Sequence, residues 1–314
     1  MWTRSYFVST AGNVSSETVR LAIFCKSYSR DVRRVKRLLA SIELHNQAAL
    51  PVFISIPQID RKLFENQLGL GRCSFIDDEE IAATNPNYSW EKLTRLPGGL
   101  YQQIIKSEFW RIGNIANYLC IDSDSYFITD FNYTNFLHPD GNPYTVIHQN
   151  RELLQMAINL GMNKIQSNFE AECQRFARIF NRPVPDYYFM PSPFLWSAKV
   201  WQSLVDNYLA PRNLSITDAI TSDLPESRWY GEALLAYQAI PLHPIEPLFR
   251  VYHYDWQYFS LRRQGGTEAK LAKNYLGVIY QSNWNWELDY GAPQKSWASR
   301  VLRRIKRAAR RLIR

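Results

Sequence analysis

The run from Asn117 to Asp130, NYLCIDSDSYFITD, constrains this chain more than any other stretch. Tyr118, Leu119, Cys120 and Ile121 are four consecutive apolar residues, the pattern of a strand buried on both faces. The run ends in Asp122-Ser123-Asp124, after which Tyr126, Phe127 and Ile128 resume apolar character. Two carboxylates one residue apart at the edge of a core repel each other and resist desolvation. A divalent cation relieves both problems, and hard oxygen donors suit Mg²⁺ or Mn²⁺. The plainer alternative is a polar turn that closes a strand. Apolar sequence on both sides favours the metal-binding reading, with Asp122 and Asp124 as the candidate ligands.

The sequence around this run alternates strands and helices. Arg20 to Cys25 reads as a strand, and Asp31 to Leu44 as an amphipathic helix with Val32, Val35, Leu38, Leu39 and Ile42 on one face. A strand at Pro51 to Ile56, a short helix near Arg61 to Leu68, and a strand at Cys73 to Ile76 follow. A polar loop from Thr84 to Pro97 leads to a helix near Gly98 to Ile112, then to the Asp122 strand. This order predicts an α/β fold with a mostly parallel sheet and helices on both faces. Ligands of such sheets bind beyond the C-terminal strand ends. Lys26-Ser27-Tyr28, Asp77-Asp78 and Asp122-Ser123-Asp124 then share one rim, and Ser27, Asp77 and Asp122 are candidate ligand-binding residues. No GxGxxG or Walker loop lies on that rim, which argues against a dinucleotide or P-loop site.

Composition sets outer limits. Of the 314 residues, 46% are hydrophobic and 14% aromatic, enough for a sizeable core. The net charge of +8 is local. Nine of the 37 basic residues lie from Lys295 onward with no acidic residue among them, leaving 28 basic against 29 acidic in the body. A near-neutral body argues against nucleic acid as a partner. No apolar run reaches the ~20 residues of a membrane-spanning helix, and the N-terminal residues lack the apolar core of a secretory signal. Cys25, Cys73, Cys120 and Cys173 form no CxxC pair, so buried, reduced thiols of a cytoplasmic protein are expected.

In the helix before the central strand, GGLYQQIIKSEFWRI, Gln102, Gln103 and Lys106 gather on one face. That face is either solvated or turned toward a diphosphate at the adjoining lip. The run QQIIKSEFWRIGNIANYLCIDSDSYFI resembles the donor-site region of GT-A glycosyltransferases. More narrowly, it is similar to a bacterial family associated with surface polysaccharides, in which a QQxxK helix precedes a strand ending in DSD. The resemblance covers Leu21 to Phe131 most firmly. It implies a GT-A-like, Rossmann-like sheet and a nucleotide diphosphate sugar as donor, UDP-linked in many such enzymes. It also implies Mn²⁺ or Mg²⁺ held by Asp122 and Asp124, with Lys106 and Gln103 at the diphosphate. The acceptor would be a surface glycan or a lipid-linked sugar.

The second half is read against that template. Pro143 to Gln149 resembles a returning strand, Arg151 to Phe180 a helical stretch, and the segment PSPFLWS from Pro191 an acceptor-side strand. The step Trp229-Tyr230-Gly231-Glu232 resembles the Gly-Glu-Asp acceptor element, read as opening a helix. That makes Glu232 the candidate catalytic base, although Ala233 stands where the family has Asp. The plainer role for Glu232 is a favourable charge at a helix N-terminus. His253, in the aromatic strand FRVYHYDWQYF with Asp255, matches the late histidine that completes the metal shell in several such families. The plainer role is a structural histidine. Trp229, Trp256, Trp284 and Trp286 are candidates for sugar stacking or core packing.

Two other readings stay open. A HAD-type phosphatase also has a strand ending in DxD, but wants Thr or Val where this chain has Tyr126. Ala233 leaves room for a non-catalytic scaffold of the same fold. Residues 1–294 are expected to form one domain, with a donor half from about 20 to 131 and an acceptor half from about 132 to 294. The last twenty residues, 295–314, read as a basic amphipathic helix suited to an anionic membrane surface, which predicts peripheral attachment at the inner face of the cell membrane.

Overall fold

The computed structural model describes residues 18–281, save 160, 184, 185 and 254, together with the isolated positions 298, 301, 302 and 305. The first half alternates as its sequence pattern requires. Strand β1 (Ala22–Lys26) leads to α1 (Val32–His45), β2 (Val52–Ile56) to α2 (Arg61–Leu68), and β3 (Ser74–Asp77) to α3 (Asp78–Ala83). Two helices, α4 (Trp90–Thr94) and α5 (Gly98–Glu108), precede β4 (Asn117–Cys120) and β5 (Ser125–Phe127). The expected helix to Ile112 stops at Glu108, and its last turn tightens to a 3₁₀ form over Phe109–Ile112.

The second half contains β6 (Thr145–Val146), α6 (Arg151–Asn159), α7 (Asn163–Ile179), β7 (Phe194–Ser197) and α8 (Ala198–Leu204). Then come α9 (Ile216–Ala219), α10 (Glu226–Tyr237), β8 (Pro244–Ile245), β9 (Phe249–Tyr252), α11 (Asp255–Arg263), α12 (Glu268–Leu271) and β10 (Gly277–Tyr280). Two expectations are corrected here. The helical stretch 151–180 is two helices, because Gly161 takes a positive φ of 63° that a helix does not accommodate. The aromatic strand ends at Tyr252, where its partner β10 also ends at Tyr280. Asp255 opens a helix, a position that favours an acidic residue.

The main sheet has the order β3-β2-β1-β4-β7. Its first four strands are parallel, and β7 is antiparallel to β4 at the edge. Every residue of β1 is buried, because helices cover both sides of the sheet. On one side α1 lays down Val35, Leu38, Leu39 and Ile42 against Ile23, Cys25, Ile54 and Leu119. On the other, α5 and α10 contribute Ile104, Ile105 and Leu234 to a core with Phe24, Phe53, Tyr118 and Trp196. Phe24 and Phe109 stack there at 3.8 Å between ring centroids. Truncating either buried ring to alanine should cost about 3–5 kcal/mol. A second sheet, β5-β10-β9, and a small parallel pair, β6-β8, complete the described strands.

The DSD segment is the point where the chain changes sheets. Ile121 still pairs with β1 through its N–H to Phe24 O at 2.8 Å. Ser125 N–H then closes a turn onto Asp122 O at 3.1 Å, and β5 departs into the second sheet. The carboxylates of Asp122 and Asp124 belong to this turn, at the C-terminal edge of the parallel strands.

Candidate active site

Strand register aligns the rim. Lys26 faces Ser55, Ile56 faces Asp77 and Phe24 faces Cys120, so continuing the last pairing by two residues sets Lys26 beside Asp122. Asp78 is fully buried and engaged on three sides. The Lys26 ammonium lies 2.8 Å from Asp78 Oδ2, Tyr101 donates its hydroxyl to the same oxygen at 2.7 Å, and Ser55 donates to Asp78 Oδ1. Asp77 caps α3 and receives Arg61 Nε at 2.7 Å. These two acidic residues therefore hold the rim together. Ser27 differs: its hydroxyl is buried with no hydrogen-bond partner among the described residues.

Lys106 turns inward rather than to solvent. It is 4% exposed, and its ammonium pairs with Asp122 Oδ1. Burial by itself would depress that ammonium's pKa, but Asp122 above all, with Cys120 and Glu226 behind it, outweighs burial and holds Lys106 charged. Gln102 faces solvent. Gln103 accepts the Glu226 backbone N–H at 3.4 Å and so ties the start of α10 to α5. The Asp122 side chain is 32% exposed and remains reachable. Asp124 is buried, and its carbonyl receives Tyr280 N–H and Arg37 Nη2, each at 3.3 Å. Ser123 donates its hydroxyl to Asp31 Oδ2 at 3.2 Å, which brings a third aspartate to the lip.

Glu226 is the residue that pattern reading missed. It opens α10, is 6% exposed, and feels the charges of Lys106 and Asp122. Burial raises its carboxyl to about 7, against the lowering pull of Lys106. A carboxyl poised near neutrality can give or take a proton at working pH. The signal available in the sequence was Pro225-Glu226 ahead of an apolar run, a helix start with an acid in its first turn.

Glu232, by contrast, does not open a helix. It is the seventh residue of α10, fully buried, and held by Arg182 through Nε to Oε2 at 2.6 Å and Nη2 to Oε1 at 2.8 Å. Buried Arg228 adds a second cation, 3.6 Å from Oε1. Gly231 is required by packing, since a Cβ there would meet the Phe189 ring at 2.3 Å. Trp229 is core, with its indole N–H donated to Ala219 O. His253 lies one residue past β9. Burial, then Arg250, lowers its pKa and keeps its imidazole neutral. It lines a cavity of about 610 Å³ with His148, Glu152, Tyr188 and Arg250. Trp284, Trp286 and nearly all of the basic tail lie outside the described residues, as does the side chain of Trp256. No helix among the described residues is long and apolar enough to cross a membrane.

No family model and no curated protein sequence matches the chain. Solved structures do. The apo structure of the bifunctional glycosyltransferase WbbM is similar over 94% of this chain and 53% of its own length, with a TM-score of 0.51 at 12% identity. The chain thus spans about half of WbbM. Apo mouse xyloside xylosyltransferase 1 is similar over 84% of this chain and 98% of its own, with a TM-score of 0.46 at 10% identity. The similarity to WbbM is one of fold: a mixed α/β, GT-A-type arrangement around a mostly parallel sheet.

Proposed function

We propose that this chain is a glycosyltransferase that moves a sugar from a nucleotide diphosphate donor, UDP-linked in the simplest case, to a surface glycan or lipid-linked acceptor. The observation that carries this reading is the buried Lys106–Asp122 ion pair at the C-terminal edge of a parallel sheet, with buried Glu226 opening the helix that Gln103 ties to α5, in a fold that WbbM shares. The donor set at the lip is all oxygen, with Asp122 reachable from outside and an unpartnered Ser27 hydroxyl on the same rim. That chemistry fits a hard cation, and Asp122 and Asp124 would hold Mn²⁺ or Mg²⁺. Such a cation, when bound, supplies electrostatic stabilisation to a leaving diphosphate.

The side chains divide the remaining work. Lys106 is a buried, permanently charged ammonium beside Asp122, suited to a diphosphate oxygen. The acceptor hydroxyl bonds to the anomeric carbon as the bond from that carbon to the diphosphate oxygen breaks. Glu226 is assigned the hydroxyl's proton, because its carboxyl is poised near 7 and Glu232 is committed to arginines. The cavity at His253 and Arg250 is assigned to the acceptor, which leaves His253 out of the metal shell. Residues 295–314 are assigned to an anionic membrane surface.

The test is turnover of nucleotide sugars with and without Mn²⁺, in wild type and Asp124→Asn. Expected are metal-dependent turnover, its loss in the variant with the fold retained, and loss of Mn²⁺-dependent thermal stabilisation by nucleoside diphosphate. Undiminished turnover in Asp124→Asn would refute the reading.

A further inference from the structure

At the end of the sheet opposite the DSD lip, two histidines and an aspartate from distant parts of the chain meet. His138 and Asp140 lie on a tight turn, closed by Gly141 N–H to His138 O at 2.8 Å and by His138 N–H to Asn142 O at 2.9 Å. Asn117, the first residue of β4, holds this turn through Nδ2 to Gly141 O at 3.3 Å. From Asn117 to Asp122 the strand advances five residues, roughly 16 Å at about 3.3 Å each. His243 arrives from beyond α10, fixed by Thr145 N–H to its carbonyl at 2.8 Å.

The three side chains bring one donor atom each close together. His243 Nε2 is 2.8 Å from Asp140 Oδ2, and His138 Nδ1 is 3.2 Å from Asp140 Oδ1. The two imidazoles stack at 3.7 Å between centroids, so one ring turns for both in-plane lone pairs to reach one ion, and one donor atom from each residue already lies within 4.8 Å of the others. Metal–ligand bonds of about 2.0–2.2 Å in a tetrahedron put donor atoms roughly 3.3 Å apart, so the cluster has nearly the required size. Asn142 N–H donates to Asp140 Oδ1 at 2.9 Å. The orientation of this carboxylate is therefore set by the backbone, as metal-binding carboxylates require.

We propose that His138, Asp140 and His243 form a second metal site, for Zn²⁺ or a similar borderline cation, separate from the all-oxygen lip. Imidazole donors select such ions, whereas carboxylates and phosphate suit Mn²⁺ and Mg²⁺. A cation entering the cluster binds the lone pairs of neutral imidazoles, with each ring's proton on the nitrogen that faces away from Asp140. Three protein ligands leave a fourth position for water. The ion would staple the 138–141 turn to His243, and with it the β6-β8 pair to the base of β4. This inference does not depend on the glycosyltransferase reading.

The full chain, stripped with chelator, is titrated with Co²⁺ and then Zn²⁺. Expected are visible bands of near-tetrahedral Co²⁺ saturating at one equivalent and bleached by Zn²⁺. Saturating Zn²⁺ should also raise Tm by about 5 °C. His243→Ala and His138→Gln should lose both signals, and Asp124→Asn should keep both. His138 lies on a partly exposed turn, so its variant decides the matter should His243→Ala fail to fold. Absence of the bands, or bands that survive in His138→Gln, would overturn the site.

Discussion

The Lys106 ammonium rests on the Asp122 carboxylate at the mouth of the parallel sheet, and Gln103, one turn before Lys106 on α5, accepts the backbone N–H of buried Glu226. A doubly negative diphosphate entering this space meets an ammonium already paid for in desolvation, which is how preorganised sites hold charge. Lys106→Met should therefore weaken nucleoside diphosphate binding by at least about tenfold and reduce turnover by roughly 10²–10³. Isothermal calorimetry with UDP and Mn²⁺ measures the first effect. Unchanged affinity would reduce Lys106 to a structural counter-ion.

Glu226 predicts two pH dependences of opposite consequence. Its folded-state pKa of about 7 lies above the ordinary 4.5, so the fold binds a proton that the unfolded chain releases. Stability is then greatest below about pH 4.5 with respect to this group, and is lost as pH rises through 7. Relative to Glu226→Gln, the wild type should lose about 3 kcal/mol between pH 4.5 and 8, measured by urea unfolding. Turnover should move the other way, rising through pH 7 as the base ionises. In Glu226→Gln that limb should vanish and turnover fall by roughly 10²–10⁴. A limb that persists in the variant belongs to another group.

Glu232 should behave as a structural residue. Glu232→Gln leaves the Arg182 guanidinium and fully buried Arg228 short of one carboxylate, although Glu172 still lies 3.1 Å from Arg228. Breaking a buried pair in this way costs about 3 kcal/mol. Turnover per folded molecule should stay within about twofold of wild type. A hundredfold fall in turnover with unchanged stability would return Glu232 to the chemistry.

What could be read from sequence was local. Asp122 and Asp124 were visible because an apolar strand and its polar end are adjacent in the chain, and Lys106 because helix spacing set it apart from Leu100 and Ile104. Whether Lys106 faced solvent or the lip depended on tertiary packing. Glu226 meets Gln103 across 123 residues, and no periodicity encodes that meeting. The partner of Glu232, Arg182, is 50 residues away, so no local pattern showed that its carboxylate is engaged. Gly231 is there for Phe189, a packing demand that a sequence motif imitates. His138, Asp140 and His243 drew no notice for the same reason: their spacing of two and 103 residues has meaning only once β6 and β8 pair.

The last prediction concerns residues 295–314. Trp297, Val301, Ile305, Ala308 and Leu312 recur at helical spacing, while nine basic residues without an acidic one occupy much of the rest. Such a segment cannot pair its charges internally, and its apolar stripe is too narrow to span a bilayer. An anionic surface accommodates both faces, at about 1 kcal/mol for each basic residue near the lipid. The body, at 28 basic and 29 acidic residues, adds no comparable attraction. The full chain should therefore sediment with vesicles containing anionic lipid, stay in solution with neutral ones, and be released by high salt, which shortens the screening length. A chain ending at residue 294 should keep its turnover of a water-soluble acceptor and lose the vesicles. Equal sedimentation of the two chains would show that the tail is not the membrane contact.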